Sequence, residues 1–220
     1  MSALKPERQA STAQPEVASV SASVSLKPIV EAALLAAGRP LRIEDLQLLF
    51  DGEHTGVDRA AIRNVIDALR EDCAERGVEL KEVASGFRFQ VKARYAPWVN
   101  RLWSERPTRY SRALLETLAL IAYRQPITRG EIEDIRGVSV SSSILKTLLE
   151  REWIRILGHR DVPGRPALYG TTRRFLDHFN LKSLDELPPL AQIRELEEQG
   201  ASPQLQEPAV AVSDEVREGS

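Results

Sequence analysis

Apolar residues fall at Leu114, Leu115, Leu118, Ile121 and Ala122, the spacing of a helix that buries one face. This helix, Ser111 to Tyr123, opens the most strongly patterned stretch of the chain. Gln125-Pro126 stops it, because proline disfavours helical geometry in the residue before it. Thr128 opens a short second helix with Glu131 placed to complete a capping box, each side chain satisfying a backbone donor at the helix start. Gly137 ends that helix after Ile132 and Ile135, glycine taking the left-handed position past a helix end cheaply. A third helix is expected from about Ser139 to Arg151, with Ile144, Leu145, Leu148 and Leu149 inward. Trp153 to Leu157 reads as a strand and Ala167 to Gly170 as its partner, separated by the polar loop Gly158 to Pro166. Three helices followed by a β-hairpin predict a winged helix-turn-helix, a fold that hosts binders of both nucleic acid and protein.

The same order of elements runs through the preceding stretch. Ile29 to Leu35 reads as a helix closed by Gly38-Arg39-Pro40, and Ile43 to Phe50 as a second with Leu46, Leu49 and Phe50 apolar. After the polar loop Asp51 to Gly56, Asp58 caps a third helix whose positions Ile62, Val65, Ile66, Leu69 and Cys73 keep a helical period to Gly77. Val78 to Val83 and Phe87 to Val91 are strands around Ser85-Gly86. Tyr95 to Trp103 is expected to close the unit as a helix carrying Trp98, Leu102 and Trp103. Ala37 to Leu41 aligns with Tyr123 to Ile127, and Leu46 with Ile132. Phe89, Tyr95 and Val99 align with Tyr169, Phe175 and Phe179 in a second register six residues out of the first. A longer loop between the second and third helices of the first copy, offset in part by wing length, accounts for the slip.

The expected architecture is therefore mostly α with small β wings: two tandem winged helix-turn-helix domains between disordered tails. The boundaries read as a tail over 1–25, a first winged helix over 26–103, a linker over 104–109, a second winged helix over 110–190 and an acidic tail over 191–220. Ser183 to Leu190 is expected to turn back onto the second domain. Residues 177–220 hold 10 Asp and Glu against 3 Lys and Arg, the composition of a solvated tail.

Across 220 residues the hydrophobic content is 42%, the charged content 28% and the formal net charge −2, which describes a soluble protein with real cores. No apolar run approaches the ~18 residues of a membrane-spanning helix, and the N-terminus lacks the apolar core of a signal peptide. Cys73 is the single cysteine, placed on an apolar helix face, so it is expected to be a buried thiol in a reducing, cytoplasmic compartment.

Catalytic chemistry finds little support. His54, His159 and His178 lie on different elements and, with one cysteine, write no zinc spacing. Neither a phosphate-binding nor a dinucleotide-binding glycine motif occurs, and no cofactor is expected. Ser143 and Lys146 fit S-x-x-K, but the companion motifs are absent, so a solvated helix face is the simpler reading. Glu131, Glu133 and Asp134 suit a helix start favoured by the macrodipole. The alternative of nucleic-acid binding has a partial basis. Residues 104–175 hold 13 Lys and Arg against 8 Asp and Glu, an excess of +5, with Arg155, Arg160, Arg165, Arg173 and Arg174 on or beside the wing. The third helix, however, exposes Val140, Ser141, Ser142, Lys146 and Glu150 instead of the Arg, Gln and Asn that read base edges. Its counterpart in the first domain exposes Arg59, Arg63, Asp67, Arg70, Glu71 and Asp72, mixed in sign. Tyr123, Ile127, Trp153, Ile156, Leu168 and Tyr169 offer more apolar surface than a small domain is sure to bury, which suggests a groove for a partner helix or strand.

ETLALIAYRQPITRGEIEDIRGV, then GRPALYGTT and LDELPPL in the same order, resemble the bacterial segregation and condensation protein B family. The likeness is dense from Ser111 to Leu190 and extends in pattern back to Leu26. It implies a non-enzymatic subunit of the bacterial condensin that forms a homodimer through its first winged helix. It further implies binding to the kleisin subunit (segregation and condensation protein A) and, through the kleisin, to the SMC ATPase. Chromosome condensation and segregation before cell division would be the role, at the nucleoid, with DNA contact weak or indirect. On this resemblance the candidate kleisin contacts are Tyr123, Arg124, Gln125, Pro126, Ile127, Thr128 and Arg129, with Gly164, Arg165, Pro166, Leu168, Tyr169 and Gly170 on the wing. A dimeric winged-helix DNA-binding transcriptional regulator is the alternative.

Overall fold

The computed structural model describes residues 25–50, 57–102 and 110–189. Apart from Ser25, the expected tail over 1–25 lies outside the described residues, as do the loop 51–56, Trp103, the linker 104–109 and the tail 191–220.

The first half is built on α1 (Leu26–Ala36), α2 (Ile43–Gln47) and α3 (Arg59–Asp72), followed by the antiparallel hairpin β1 (Val78–Val83) and β2 (Gly86–Val91). Asp58 caps α3 as expected, its Oδ1 accepting from Ala61 N at 2.7 Å. The α3 period then carries Ile62, Ile66 and Leu69 into one core with Val30, Leu46 and Phe87. Cys73 is buried as expected. The second helix is shorter than its apolar pattern suggests. It tightens at Leu48–Phe50 into a 3₁₀ turn, whose different pitch leaves Leu48 and Leu49 exposed while Phe50 is buried. The closing helix also departs from expectation. Residues Ala93–Leu102 form a 3₁₀ turn, a four-residue α4 (Ala96–Val99) and another 3₁₀ turn. Trp98 and Leu102 point outward, 63% and 78% exposed. Segments this short present no continuous stripe to a core, so the apolar residues there are not buried by helical periodicity.

The second half comprises α5 (Arg112–Arg124), β3 (Ile127–Thr128), α6 (Arg129–Arg136), α7 (Ser142–Glu150), β4 (Ile154–His159), β5 (Ala167–Thr171) and α8 (Arg173–His178). The strands form one antiparallel sheet in the order β3–β5–β4. Ser111 Oγ caps α5 by accepting from Leu114 N at 3.2 Å. The capping box closes at α6, with Thr128 N donating to Glu131 Oε2 at 2.9 Å and Glu131 N to Thr128 Oγ1 at 3.3 Å. Gly137 ends α6 at φ 68°. The core gathers Ile121, Ile132, Leu148, Trp153, Ile154 and Phe175. Val140, expected on an exposed helix face, is instead 0% exposed. It precedes the cap of α7, which is Ser141, and there its N–H donates to Glu133 Oε1 at 2.8 Å. Past Phe179 the chain does turn back: Leu187 packs on this core, and Tyr123 Oη donates to Pro188 O at 2.5 Å.

Each half is thus a winged helix, and the internal repeat is visible in backbone pairing. Leu41 bridges Phe87, their N–H and C=O groups exchanging bonds of 2.9 and 2.8 Å. At the corresponding place Ile127 pairs with Tyr169. Leu46 and Ile132 are both core residues, as their alignment requires. The counterpart of Tyr169 is therefore Phe87, not the Phe89 of the sequence alignment, which pairs with Leu80. Both phenylalanines fit an alternating strand pattern, and only the bridge to Leu41 distinguishes them.

Candidate partner-binding site

The stretch Tyr123 to Arg129 is held in place from several sides. α5 ends at Arg124, and the Gln125-Pro126 peptide is cis. Gln125 then ties this corner to the end of β5: its Oε1 accepts from Thr171 N at 2.7 Å, and its Nε2 donates to Thr171 Oγ1 at 3.0 Å and to Ala122 O at 3.2 Å. Ile127 and Thr128 pair with Tyr169 and Leu168 respectively, so the sheet brings the two sequence-predicted groups together at β3–β5. Ile127, Thr128 and Gly170 are buried. A Cβ on Gly170 would lie 2.6 Å from Leu157 Cδ1 and 2.8 Å from Gln125 Oε1. These three residues shape the site from beneath. Tyr123, Gln125, Pro166, Leu168 and Tyr169 are half-buried, and Arg124, Pro126, Arg129, Gly164 and Arg165 are exposed.

Two shallow grooves flank this junction. One, of about 450 Å³, is lined by Arg129 and Tyr169 together with Ser142, Leu145, Lys146, Leu149 and Glu150 of α7. The other, of about 290 Å³, is lined by Arg124, Pro126 and Ile127 with Glu131, Asp134 and Ile135 of α6. The wing-tip residues Gly164, Arg165 and Pro166 line neither. The α7 wall was not singled out from sequence as a contact surface, although its alternation of leucines with Ser142 and Lys146 carried that signal. An apolar floor edged by charged side chains is the kind of surface that suits a peptide partner. Of the apolar set expected to crowd the surface, Ile127 and Trp153 are instead buried, while Ile156 remains exposed.

The S-x-x-K pair does not assemble. Ser143 Oγ lies 2.7 Å from Ser141 Oγ, whereas Lys146 Nζ faces Glu150 at 3.6 Å. Among the described residues no group of three or more His, Cys, Asp and Glu is placed to hold a metal, and no helix is long and apolar enough to cross a membrane. On the wing, Arg160 Nη1 donates to Glu131 Oε1 at 2.8 Å, and beside it, on α8, Arg174 Nη1 donates to Glu152 Oε2 at 2.6 Å, so those two cations are already engaged with carboxylates.

The same bonds set the acid response. Thr128 above all, then Arg160, hold the Glu131 carboxyl below the usual carboxylate range. The Val140 N–H and Arg129 do the same for Glu133. A carboxylate with a depressed folded-state pKa contributes stability above its unfolded value, and that contribution is lost as pH falls through the folded one. Thermal stability is therefore expected to decline below about pH 4.3, with a shallower decline in Glu131→Gln. Calorimetry over the acid range checks this, and equal slopes in the two proteins would contradict it.

Fold and site together define a class: a tandem winged-helix protein with two shallow grooves on its second unit. The model of the family "Segregation and condensation complex subunit ScpB" matches residues 28–190. The segregation and condensation protein B homolog of Coxiella burnetii is 60% identical over 174 residues, covering 79% of this chain and 83% of the relative. The segregation and condensation protein B of Syntrophotalea carbinolica is 46% identical over 180 residues, covering 82% and 89%. A solved dimer of an ScpB N-terminal domain with an ScpA peptide is 32% identical over 35% of this chain and 93% of that one, with a TM-score of 0.31. The chain belongs to the ScpB family, the non-catalytic subunits of the segregation and condensation complex.

Proposed function

We propose that this chain is the dimerising, kleisin-binding subunit of a bacterial SMC–kleisin condensin, supporting chromosome condensation and segregation during cell division. The family match over residues 28–190 carries this reading. The chain divides into a dimerisation unit over 26–103 and a kleisin-binding unit over 110–190. On the first, the exposed Leu35, Leu48, Leu49, Trp98 and Leu102 are the apolar surface a second copy would cover. On the second, the grooves beside Arg124, Pro126, Arg129 and Tyr169 receive a segment of the kleisin, segregation and condensation protein A. The SMC ATPase is reached through that kleisin. DNA contact is weak or indirect, since the exposed α7 residues Ser142, Ser143, Lys146 and Glu150 suit base reading poorly. The place of action is the cytoplasm, at the nucleoid.

Pull-down of the tagged protein under nuclease, read by mass spectrometry, is expected to recover a kleisin and an SMC ATPase. Retention of DNA alone until nuclease is added would favour the transcriptional regulator. Within the complex reading, combined Arg124→Glu and Arg165→Glu is expected to lower kleisin affinity about tenfold or more. Unchanged affinity in folded protein would move the contact elsewhere.

A further inference from the structure

The turn after α8 meets the first wing. Asn180 takes φ 58°, and Leu181 N turns back to Leu176 O at 2.8 Å, a helix-end closure with asparagine in the left-handed position. This closure directs Leu181 O, the Asp177 side chain and the Asn180 side chain toward the β1–β2 turn of the other half. Ala84 N donates to Leu181 O at 2.9 Å, and Ser85 N donates to Asp177 Oδ1 at 2.9 Å. Arg88 Nη2 donates to Asp177 O at 2.8 Å and to Asn180 Oδ1 at 2.9 Å. Lys182 Nζ and Glu82 Oε2 add an ion pair of 3.3 Å.

These contacts have the character of a built interface. Ser85, Arg88, Asp177 and Asn180 are all half-buried, so undocking would strip the Arg88 guanidinium of Asp177 O and Asn180 Oδ1, and the Asp177 carboxylate of the Ser85 N–H. The turn N–H groups and the arginine are also the donors a wing would offer to phosphate. Here they are committed to the second unit. Gly86 lets the turn lie against the chain at Leu41: a Cβ there would stand 2.3 Å from Leu41 O. The wing is therefore braced on its own core at one side and on the second unit at the other. Two domains joined by a short linker ordinarily move relative to each other unless an interface holds them.

We propose that the first wing is an internal docking element, which holds the second winged helix of the same chain at one fixed angle through Asp177 and Arg88. The surfaces on the two halves are then presented in a set relative geometry, and a partner spanning both meets a preorganised frame. The inference stands on the contacts between the halves, whatever the identity of the partner.

Spin labels at Asn64→Cys and Ser142→Cys, both exposed positions, report the angle through their distance distribution by double electron–electron resonance. The labelled full-length protein is diluted with excess unlabelled protein, so that only labels on one chain are read. The expected result is a narrow distribution that survives dilution. Asp177→Ala and Arg88→Ala should each broaden it, raising the undocked fraction about tenfold or more. Asp177→Asn, which keeps an acceptor for Ser85 N, should restore much of the narrow peak. Circular dichroism melting of each variant confirms that both units remain folded, and because the pins lie on opposite halves, one variant's misfolding leaves the other informative. A broad distribution in the parent protein would overturn the proposal. So would an unchanged narrow one in both folded alanine variants, or a narrow peak that vanishes on dilution and so reports contact between chains.

Discussion

Trp153→Ala is expected to unfold the second half of the chain at room temperature or bring it to the edge of unfolding. Trp153 is 2% exposed, and its ring packs against Tyr110 at 5.0 Å, His178 at 4.5 Å and Phe179 at 5.4 Å between centroids. The Arg151 guanidinium lies 5.4 Å from the ring centre. The indole thus joins the segment before α5, the β4 entry and the end of α8, elements distant in sequence. Truncating a buried tryptophan costs about 3–5 kcal/mol, and a small domain has only about 5–15 kcal/mol to lose. Urea titration followed by far-UV circular dichroism should show part of the helical signal lost at much lower denaturant. The first half supplies the remainder through its separate core. A midpoint within experimental error of the parent's would show that the site collapses around the missing ring and that Trp153 is not the centre of this core.

Which features were legible in the sequence follows from how local their causes are. The Thr128–Glu131 box, the Asp58 cap and the Gly137 stop each depend on a few adjacent residues, and each appears where the pattern places it. The two hairpins were legible because strand periodicity and turn residues agree. Pattern and structure part where the deciding contact lies outside the helical or strand repeat. Helical spacing puts Val140 on an exposed face, yet it precedes the helix and is anchored by Glu133. Phe87 and Phe89 are equivalent to a strand pattern, and the bridge to Leu41 alone selects Phe87 as the counterpart of Tyr169. Trp98 reads as a large apolar residue of one closing helix, but that helix is broken and the ring is exposed.

The candidate site divides the same way. Family likeness marked Tyr123 to Arg129 and the β5 residues as one motif set, and β3–β5 pairing does join them. Sequence could not separate the residues that shape the site from those that face outward. Gln125, polar and beside a proline, reads as a surface contact, whereas its amide spans α5 and Thr171. Gly170 reads as a wing residue that could meet a partner, whereas its backbone is covered by Leu157 and Gln125. The Arg160–Glu131 and Arg88–Asp177 contacts join residues with no periodic relationship, so no spacing rule reports them. Charge counts along a segment are blind to this pairing, which is why the basic wing looked freer for phosphate than it is.

Gly86→Ala is expected to be far more damaging than Gly137→Ala, although both glycines have positive φ. Gly137, at φ 68°, has no atom within 4 Å of an added Cβ. Alanine there meets only the cost of the left-handed conformation, about 1–2 kcal/mol. Gly86 sits at φ 133°, and its added Cβ would lie 2.3 Å from Leu41 O and 2.8 Å from Arg42 N. Those atoms belong to backbone fixed by the Leu41–Phe87 bridge, so they cannot move aside as a flexible side chain would. Conformational strain and overpacking act together, for a loss of roughly 3 kcal/mol or more. The damage should also reach the second half, because the displaced turn carries Ala84 and Ser85, whose N–H groups dock on Leu181 and Asp177. Denaturation of the two variants side by side, with the interdomain distance measured in each, separates the effects. Gly137→Ala should lower stability modestly and leave the distance narrow, whereas Gly86→Ala should lower it severely and broaden the distance. Equal losses in the two variants would mean that backbone conformation alone sets the cost, and that the close approach of Leu41 is relieved without consequence for the wing.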